Sequence, residues 1–276
     1  MNIALISAIW PVKPFGASWY ELPDAMSAAG LRQALIDDGH HVEEDELDAT
    51  GPAASELRGA FALGAAIAER CRAALERGAF PVIVCGSCGV AALGAMAGLS
   101  GQRTGVVWMD AHPDLNTPET SGSGMFDGMA LSAALGFCWS HMGRQITGLS
   151  LAGAGDVCLI GARDIDPGEA AFIAEHSIPV TDRAPPVISY LANCARVYLH
   201  LDMDVHDAEQ MRANRFAVPG GLTIDQVRAT LVGVTRGLPV AALSVTGLDP
   251  AAPDSALAIR TAIDHIRAVC ETRSAL

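Results

Sequence analysis

A chain of 276 residues, half of them apolar and 18% charged, is long enough to bury a substantial core and too apolar for disorder. Its 18 basic against 31 acidic residues leave a net charge of −13, which argues against a nucleic-acid backbone or an anionic membrane as partner and for metal ions or cationic ligands. Lys13 is the only lysine, so a Walker-type phosphate loop is excluded, and a Schiff base would have to form in the irregular segment Pro-Val-Lys-Pro.

In chain order, short apolar runs and longer amphipathic ones predict a strand at Ile3–Ile6, helices at Ala25–Asp38 and Ser55–Arg77, and a strand at Pro81–Cys85. A helix at Val90–Gly98, a strand at Gly105–Met109 and a helix at Gly128–Leu135 follow, then a strand at Val157–Ile160 and a helix at Pro167–His176. The remainder reads as strands at Ile178–Val180 and Val197–Leu201, a helix at Thr223–Arg236 opened by the capping box Thr223-Ile-Asp-Gln226, a strand at Ala241–Val245 and a helix at Ser255–Glu271. This alternation predicts an α/β fold, a parallel sheet covered by helices on both faces, in one domain over residues 1–276. Ligands of such sheets bind at the carboxyl ends of strands, and the long polar stretch Ala111–Asp127 leaves one of those ends.

Seven cysteines, an odd number without the spacing of a small secreted scaffold, point to a reducing compartment. No basic leader opens the chain and no apolar run reaches about 20 residues, so the expectation is a cytoplasmic protein without a membrane span.

Two segments carry the chemistry. Val106-Val-Trp-Met-Asp110-Ala-His112-Pro-Asp114 leaves an apolar strand with Asp110, His112 and Asp114 at alternate positions, which an extended backbone would point to one side. Val197-Tyr-Leu-His-Leu-Asp202-Met-Asp204 repeats the arrangement. Four carboxylates and an imidazole sharing a small site demand a cation, and two divalent ions meet that demand; Mn2+ suits such oxygen and nitrogen donors. Two ions sharing a water make a hydroxide available at neutral pH.

Asp110-Ala-His-Pro-Asp-Leu-Asn-Thr-Pro and Asp202-Met-Asp resemble the metal-binding signatures of the arginase (ureohydrolase) family. Ser121-Gly-Ser-Gly, Gly161-Ala-Arg-Asp-Ile-Asp-Pro-Gly-Glu169 and Val218-Pro-Gly-Gly-Leu-Thr223 match it in order, from about Phe80 to Pro250. The resemblance implies a three-layer α/β/α sandwich with a mainly parallel sheet and two Mn2+ ions. Asp110 and Asp202 would bridge them, with His112, Asp114 and Asp204 as further ligands and Asp114 also at the reaction centre. It also implies a small guanidino substrate held as an α-amino acid, Asn116 and Ser123 meeting the carboxylate and Asp166 and Glu169 the amino group, a division that suits the polarity of those side chains. Acidic residues opening a helix would equally explain Asp166 and Glu169. A homo-oligomer stays open.

Three departures modify this. Cys85-Gly-Ser-Cys88-Gly stands where the family has a histidine ligand, so Cys88 would ligate the first metal and shift it toward Zn2+ or Fe2+. Cysteine there resembles the hydroxyarginine amidinohydrolase branch, which makes an N-hydroxyguanidine a candidate substrate and hydroxyurea its product. Asp127 replaces a loop histidine that moves protons and is the candidate to pass the proton; Gly247 replaces a glutamate that pairs with the guanidinium, so either Asp127 takes over that pairing from across the site or the reacting group is not a simple guanidinium.

Other readings remain. Cys85-Gly-Ser87-Cys-Gly resembles a nucleophile elbow, in which Ser87 or Cys88 would attack with His200, His206 or His265 as base. Cys85-x-x-Cys88 could be a redox pair, and the three departures together fit a metal-binding relative with impaired catalysis. His200 reads as a core residue able to support a ligand, His206 as a replacement ligand or base, and His40, His41, His141 and His176 as surface or helix-end positions.

Overall fold

The computed structural model describes residues 1–10, 18–48, 55–149 and 154–276; Lys13 lies outside them. Eight strands, β1 (Asn2–Ile9), β2 (His41–Asp48), β3 (Phe80–Cys85), β4 (Thr104–Met109), β5 (Val157–Ile160), β6 (Val180–Thr181), β7 (Arg196–Asp202) and β8 (Val240–Thr246), form one sheet. Their order is β2-β1-β3-β8-β7-β4-β5-β6, and every neighbouring pair is parallel.

Side chains alternate between the two faces of each strand, which divides the core in two. On one face Phe80, Val82, Val107, Leu199 and Leu243 pack with residues of α1 (Leu22–Ala28), α2 (Leu31–Asp37), α8 (Ala184–Tyr190), α9 (Ile224–Gly237) and α10 (Ser255–Ser274). On the other, Ile83, Trp108, Tyr198 and Ala242 pack with α3 (Glu56–Glu76), α4 (Cys88–Gly98), α5 (Ala130–Leu135) and the partly buried Phe172 and Ile173 of α7 (Pro167–His176). A short α6 (Ser140–Gly143) follows α5. The result is the expected α/β/α arrangement. Helix α4 is buried along its whole length, and it lies close to α3 because Gly94 offers no side chain: a Cβ there would sit 2.4 Å from Ile67 Cγ2.

Several elements differ from the sequence-based expectation. The helix expected over Ala25–Asp38 is two, α1 and α2, because Gly30 adopts φ 84° between them. Strand β2 and helices α6 and α8 were not expected, and the strand expected at Ile178–Val180 is reduced to Val180–Thr181. The helix expected from Val90 begins at Cys88, with Ser87 as its N-cap. His40 stands at a helix end as expected, its N–H on the Leu35 carbonyl of α2, but it is buried, with Nδ1 3.3 Å from the N-terminal amine.

Two buried histidines tie α10 to the turn after β7. His206 Nδ1 lies 2.9 Å from the Met203 carbonyl, which can only accept, so that nitrogen carries the hydrogen. His206 Nε2 then accepts from His265 Nε2 at 3.0 Å, leaving His265 Nδ1 without a partner among the described residues. Burial, then His206 and Arg228, push His265 down to about 3. The unfolded chain therefore binds this proton more readily, at an ordinary value of about 6.5. The fold keeps the full benefit of a neutral His265 above that value and loses it as the pH falls toward 3. We expect His265→Phe, compared with the wild type by urea unfolding at about pH 7 and about pH 4, to lose less stability on acidification. Equal losses would remove His265 from the explanation.

Candidate metal centre and active site

The four adjacent strands β3, β8, β7 and β4 end at one cleft of about 250 Å³, the position where open α/β sheets bind ligands. Each strand delivers a lining residue just past its last rung: Cys88 beyond β3, Gly247 beyond β8, Asp202 and Asp204 at the end of β7, and Asp110 beyond β4. The loop from β4 adds His112, Asp114, Asn116, Ser123 and Asp127, and the start of α7 adds Asp166 and Glu169. Cys88, Asp110, His112, Asp114, Asn116, Ser123, Asp127, Asp166, Glu169, Asp202 and Asp204 thus line one cavity, whereas His206, read as a replacement ligand or base, does not: both its ring nitrogens are engaged, by the Met203 carbonyl and His265.

Their backbone geometry is not the extended one expected after β4. Asp114 sits at φ 52°, and its carbonyl accepts the N–H groups of Leu131 and Ser132 at the start of α5. The segment therefore turns, and the convergence of Asp110, His112 and Asp114 comes from that turn.

Among the described residues, two groups of side chains place their donor atoms within 4.8 Å of one another: Cys88, Asp110, His200 and Asp202, and Asp110, His112 and Asp204. Asp110 belongs to both; Asp114 belongs to neither. Cys88 Sγ lies 3.2 Å from Asp202 Oδ2 and 3.3 Å from the Thr246 hydroxyl. Asp202 Oδ1 accepts from the Asp204 N–H at 2.8 Å. His112 Nδ1 lies 3.3 Å from Asp110 and 3.4 Å from Asp204.

The charges in this cluster have one consistent requirement. Asp110, Asp114, Asp202 and Asp204 are 2–5% exposed. Burial, with Asp204 adding, pushes Asp110 up to about 7. Burial raises Asp114 and Asp202 well above the carboxylate range, Asp110 adding to the first and Asp204 to the second. Asp204 runs the other way: against its burial, His112 and the Asn214 amide hold it low. His112, also against burial, is held protonated by Asp204 and Asp110. So many buried carboxylates must either take up protons or hold cations. The mixed carboxylate, imidazole and thiol donors fit divalent metal ions.

His200 is the candidate ligand that the sequence reading left in the core. It is fully buried, stacks on Trp108 at 3.6 Å between centroids, and burial pushes it down to about 3, so it stays neutral. Its Nδ1 meets the Ser244 hydroxyl at 2.9 Å, which leaves Nε2 3.3 Å from Thr246 Oγ1, the hydroxyl that also meets Cys88 and Asp202. Its position two residues before Asp202 was the available signal. Arg163, inside the Gly161-Ala-Arg-Asp motif, spans the same turn, donating to the carbonyls of Asp204, His206 and Val218. Asn214, which carries no local sequence signal, donates to Asp204 Oδ2 at 3.1 Å and to the Gly247 carbonyl at 2.6 Å.

The structure redirects other expectations. Ser87 is not poised as a nucleophile: its hydroxyl donates to Asp127 at 2.5 Å and accepts the Val90 N–H, capping α4. Cys85 and Cys88 are both free, so no disulfide joins them. Asp127 also accepts the Gly89 N–H and is raised by burial, opposed by the Ser87 hydrogen bond. Glu169 uses both oxygens on the backbone, accepting from Leu115 N–H and Asp166 N–H, while Asn116 donates to Asp166 at 2.9 Å. Gly247 has φ 65°, and a Cβ there would lie 1.8 Å from Asp202 Oδ1. A glutamate here would need this left-handed backbone or the Asp202 carboxylate to shift, so in the present arrangement no side chain at 247 pairs with a substrate.

Fold and cleft together define the class: an all-parallel α/β protein with an acidic site at its strand ends able to hold divalent metal. The chain belongs to the arginase family, metal-dependent hydrolases of guanidino C–N bonds; the family model matches residues 21–271, a longer stretch than the Phe80–Pro250 motifs span. It is 38% identical to the arginase of Bacillus caldovelox over 164 residues, 54% of each chain, so this alignment spans about half of that relative. It is 28% identical over 223 residues, 79% of each chain, to the N(omega)-hydroxy-L-arginine amidinohydrolase of Streptomyces lavendulae. The solved structure of Bacillus subtilis arginase superposes with a TM-score of 0.87 at 26% identity, covering 97% of both chains. Among the described residues no helix is long and apolar enough to cross a membrane.

Proposed function

We propose that this chain is one catalytic domain that hydrolyses the guanidino or N-hydroxyguanidino group of an arginine-like amino acid to ornithine and urea or hydroxyurea. The observation that carries the reading is the convergence of Cys88, Asp110, His112, His200, Asp202 and Asp204 at the ends of four adjacent strands. Similarity to both arginases and a hydroxyarginine amidinohydrolase supports it.

Cys88, Asp110, His200 and Asp202 would hold one divalent ion and Asp110, His112 and Asp204 a second, with Mn2+ the proposed metal and Zn2+ or Fe2+ favoured where Cys88 ligates. When bound, such a pair supplies a hydroxide nucleophile at neutral pH. Asn116, Ser123 and Asp166 orient the α-amino acid end, and Glu169 holds Asp166 and Leu115 in place for them. Asp127, raised toward the neutral form by burial, carries the proton. Water adds to the amidine carbon, the bond from that carbon to the substrate's δ-nitrogen breaks, and the departing nitrogen takes a proton. The reading places the enzyme in the cytoplasm.

The test is turnover of L-arginine, N-hydroxy-L-arginine, agmatine and formiminoglutamate side by side by protein of known metal content. Turnover of one of the first two, dependent on bound metal, is expected. Preference for agmatine or formiminoglutamate would remove the amino acid assignment. Full metal content without turnover of any of the four would leave a metal-binding relative with impaired catalysis.

A further inference from the structure

Strand β8, Val-Ala-Ala-Leu-Ser-Val-Thr, runs through the interior of the sheet and is apolar except at Ser244 and Thr246. Both hydroxyl residues are fully buried. In the β7–β8 register Ser244 stands beside His200 and Thr246 beside Asp202, and residues paired in this way share a face of the sheet. Two hydroxyls are thus set against the two β7 residues of the Cys88 group of donors. A hydroxyl buried there costs free energy unless it is bonded, and valine, of nearly the same shape, would avoid that cost.

Thr246 Oγ1 meets three of the four side chains of that group. It lies 3.3 Å from Cys88 Sγ, 3.3 Å from Asp202 Oδ2 and 3.3 Å from His200 Nε2. A hydroxyl has one hydrogen and two lone pairs, so these three partners use its whole capacity. Behind them the polar chain continues into the core: His200 Nδ1 meets the Ser244 hydroxyl at 2.9 Å, and that hydroxyl meets Tyr198 Oη at 2.7 Å. Among the described residues Thr246 hydrogen-bonds neither His112 nor Asp204, so its direct contacts stay within one of the two donor groups.

The elements involved show why such a contact matters. Cys88 is the first residue of α4, whereas His200 and Asp202 belong to β7. The Thr246 hydroxyl, together with the direct contact of 3.2 Å between Cys88 Sγ and Asp202 Oδ2, ties the donor carried by the helix to those carried by the strand. Partners of this kind, which touch metal ligands from behind, are worth about ten- to a hundredfold in metal affinity.

We propose that Thr246 is a positioning residue for the Cys88 side of the metal centre: its hydroxyl sets the placement of the Cys88 sulfur, the Asp202 carboxylate and the His200 imidazole relative to one another, and with it the affinity of that group for a divalent ion. This rests on the metal-centre reading above and goes further by naming the side chain that holds those donors together.

Thr246→Val removes the hydroxyl and keeps the shape, and Thr246→Ser keeps the hydroxyl. The probe is Co2+ added to metal-free protein, because cobalt bound by a thiolate absorbs in the near ultraviolet by charge transfer from sulfur, a band that carboxylate and imidazole ligands do not give. Equilibrium dialysis counts the total cobalt bound. In the valine variant the cobalt that gives the sulfur band is expected to bind about ten- to a hundredfold more weakly than in the wild type, with cobalt that gives no such band held as before, and serine should recover most of the loss. A valine variant with wild-type band and affinity overturns the proposal. So does a serine variant as weak as the valine one, or equal weakening of all bound cobalt, since each assigns the effect to packing. Melts in excess chelator report whether the valine variant folds; where it does not, the serine and alanine variants, which differ only in the hydroxyl, make the same comparison. A wild type that binds no Co2+ overturns the metal-centre reading and this proposal with it, and one that binds Co2+ without the sulfur band removes Cys88 from the ligands and the role of Thr246 as well. A wild type with the band beside an unaltered valine variant sinks the Thr246 role alone.

Discussion

Asp202→Ala should strip metal from the protein and lower turnover about a thousandfold or more, since several kcal/mol of transition-state stabilisation depend on the bound ions. Asp202 stands at the last rung of β7, 4% exposed, with Oδ2 receiving the Cys88 thiol and the Thr246 hydroxyl and Oδ1 receiving the Asp204 N–H. If Asp202 is a ligand as proposed, alanine removes it together with the hydrogen bonds that hold Cys88, Thr246 and the Asp204 N–H around it. The same substitution should act oppositely on the metal-free fold. Burial and Asp204 make Asp202 costly to ionise, and deleting one of several buried carboxylates relieves that cost. Thermal melts in excess chelator should therefore show the variant no less stable than the wild type, while melts with metal should show it clearly less stable. Full metal content by elemental analysis, or a large stability loss in chelator, would mean that Asp202 is a structural residue.

The parts of the fold that the sequence revealed are those whose physics is local. β3, β4, β7 and β8 are covered on both sides, so they read as short apolar runs such as Pro81–Cys85 and Val197–Leu201. β2, His-Val-Glu-Glu-Asp-Glu-Leu-Asp, lies at the sheet edge with only Val42 buried, and its charges hide the strand because pairing with β1 rather than composition makes it one. α8 opens Ala-Pro-Pro, which reads as a loop until the prolines are placed in its first turn, where a missing N–H costs nothing.

The candidate site divides in the same way. Asp110, His112, Asp114, Asp202 and Asp204 were legible because like charges at two strand ends have few structural uses. His200 was not, because alternation along β7 assigns it to the interior, and only the neighbouring strand shows that its Nε2 faces Thr246. Trp19 reaches the cleft from a single 3-10 turn near the start of the chain and Asn214 from the segment after Asp204, and no spacing in the chain announces them. The crowding at Gly247 is a property of packing: the glycine is visible in the sequence, but the Asp202 oxygen 1.8 Å from a Cβ at that position is not.

Asp127→Asn separates two roles that the structure gives one carboxylate. Asp127 Oδ1 accepts from the Ser87 hydroxyl and from Gly89 N–H, and so fastens the start of α4, where Cys88 is the first residue. An asparagine keeps an acceptor oxygen there and can serve both donors, so α4 and Cys88 should stay in place with metal binding intact. What asparagine cannot do is release a proton. If Asp127 supplies the proton to the departing nitrogen, turnover should fall by about two to four powers of ten while both metals remain bound. Asp127→Ala removes the acceptor as well, and should add a stability loss of about 0.5–2 kcal/mol, the scale of a lost helix cap, and a weaker hold on metal at Cys88. Wild-type turnover in the asparagine variant, together with weakened metal binding in the alanine variant, would assign Asp127 to helix capping alone, and the proton would then have to come from another source in the cleft.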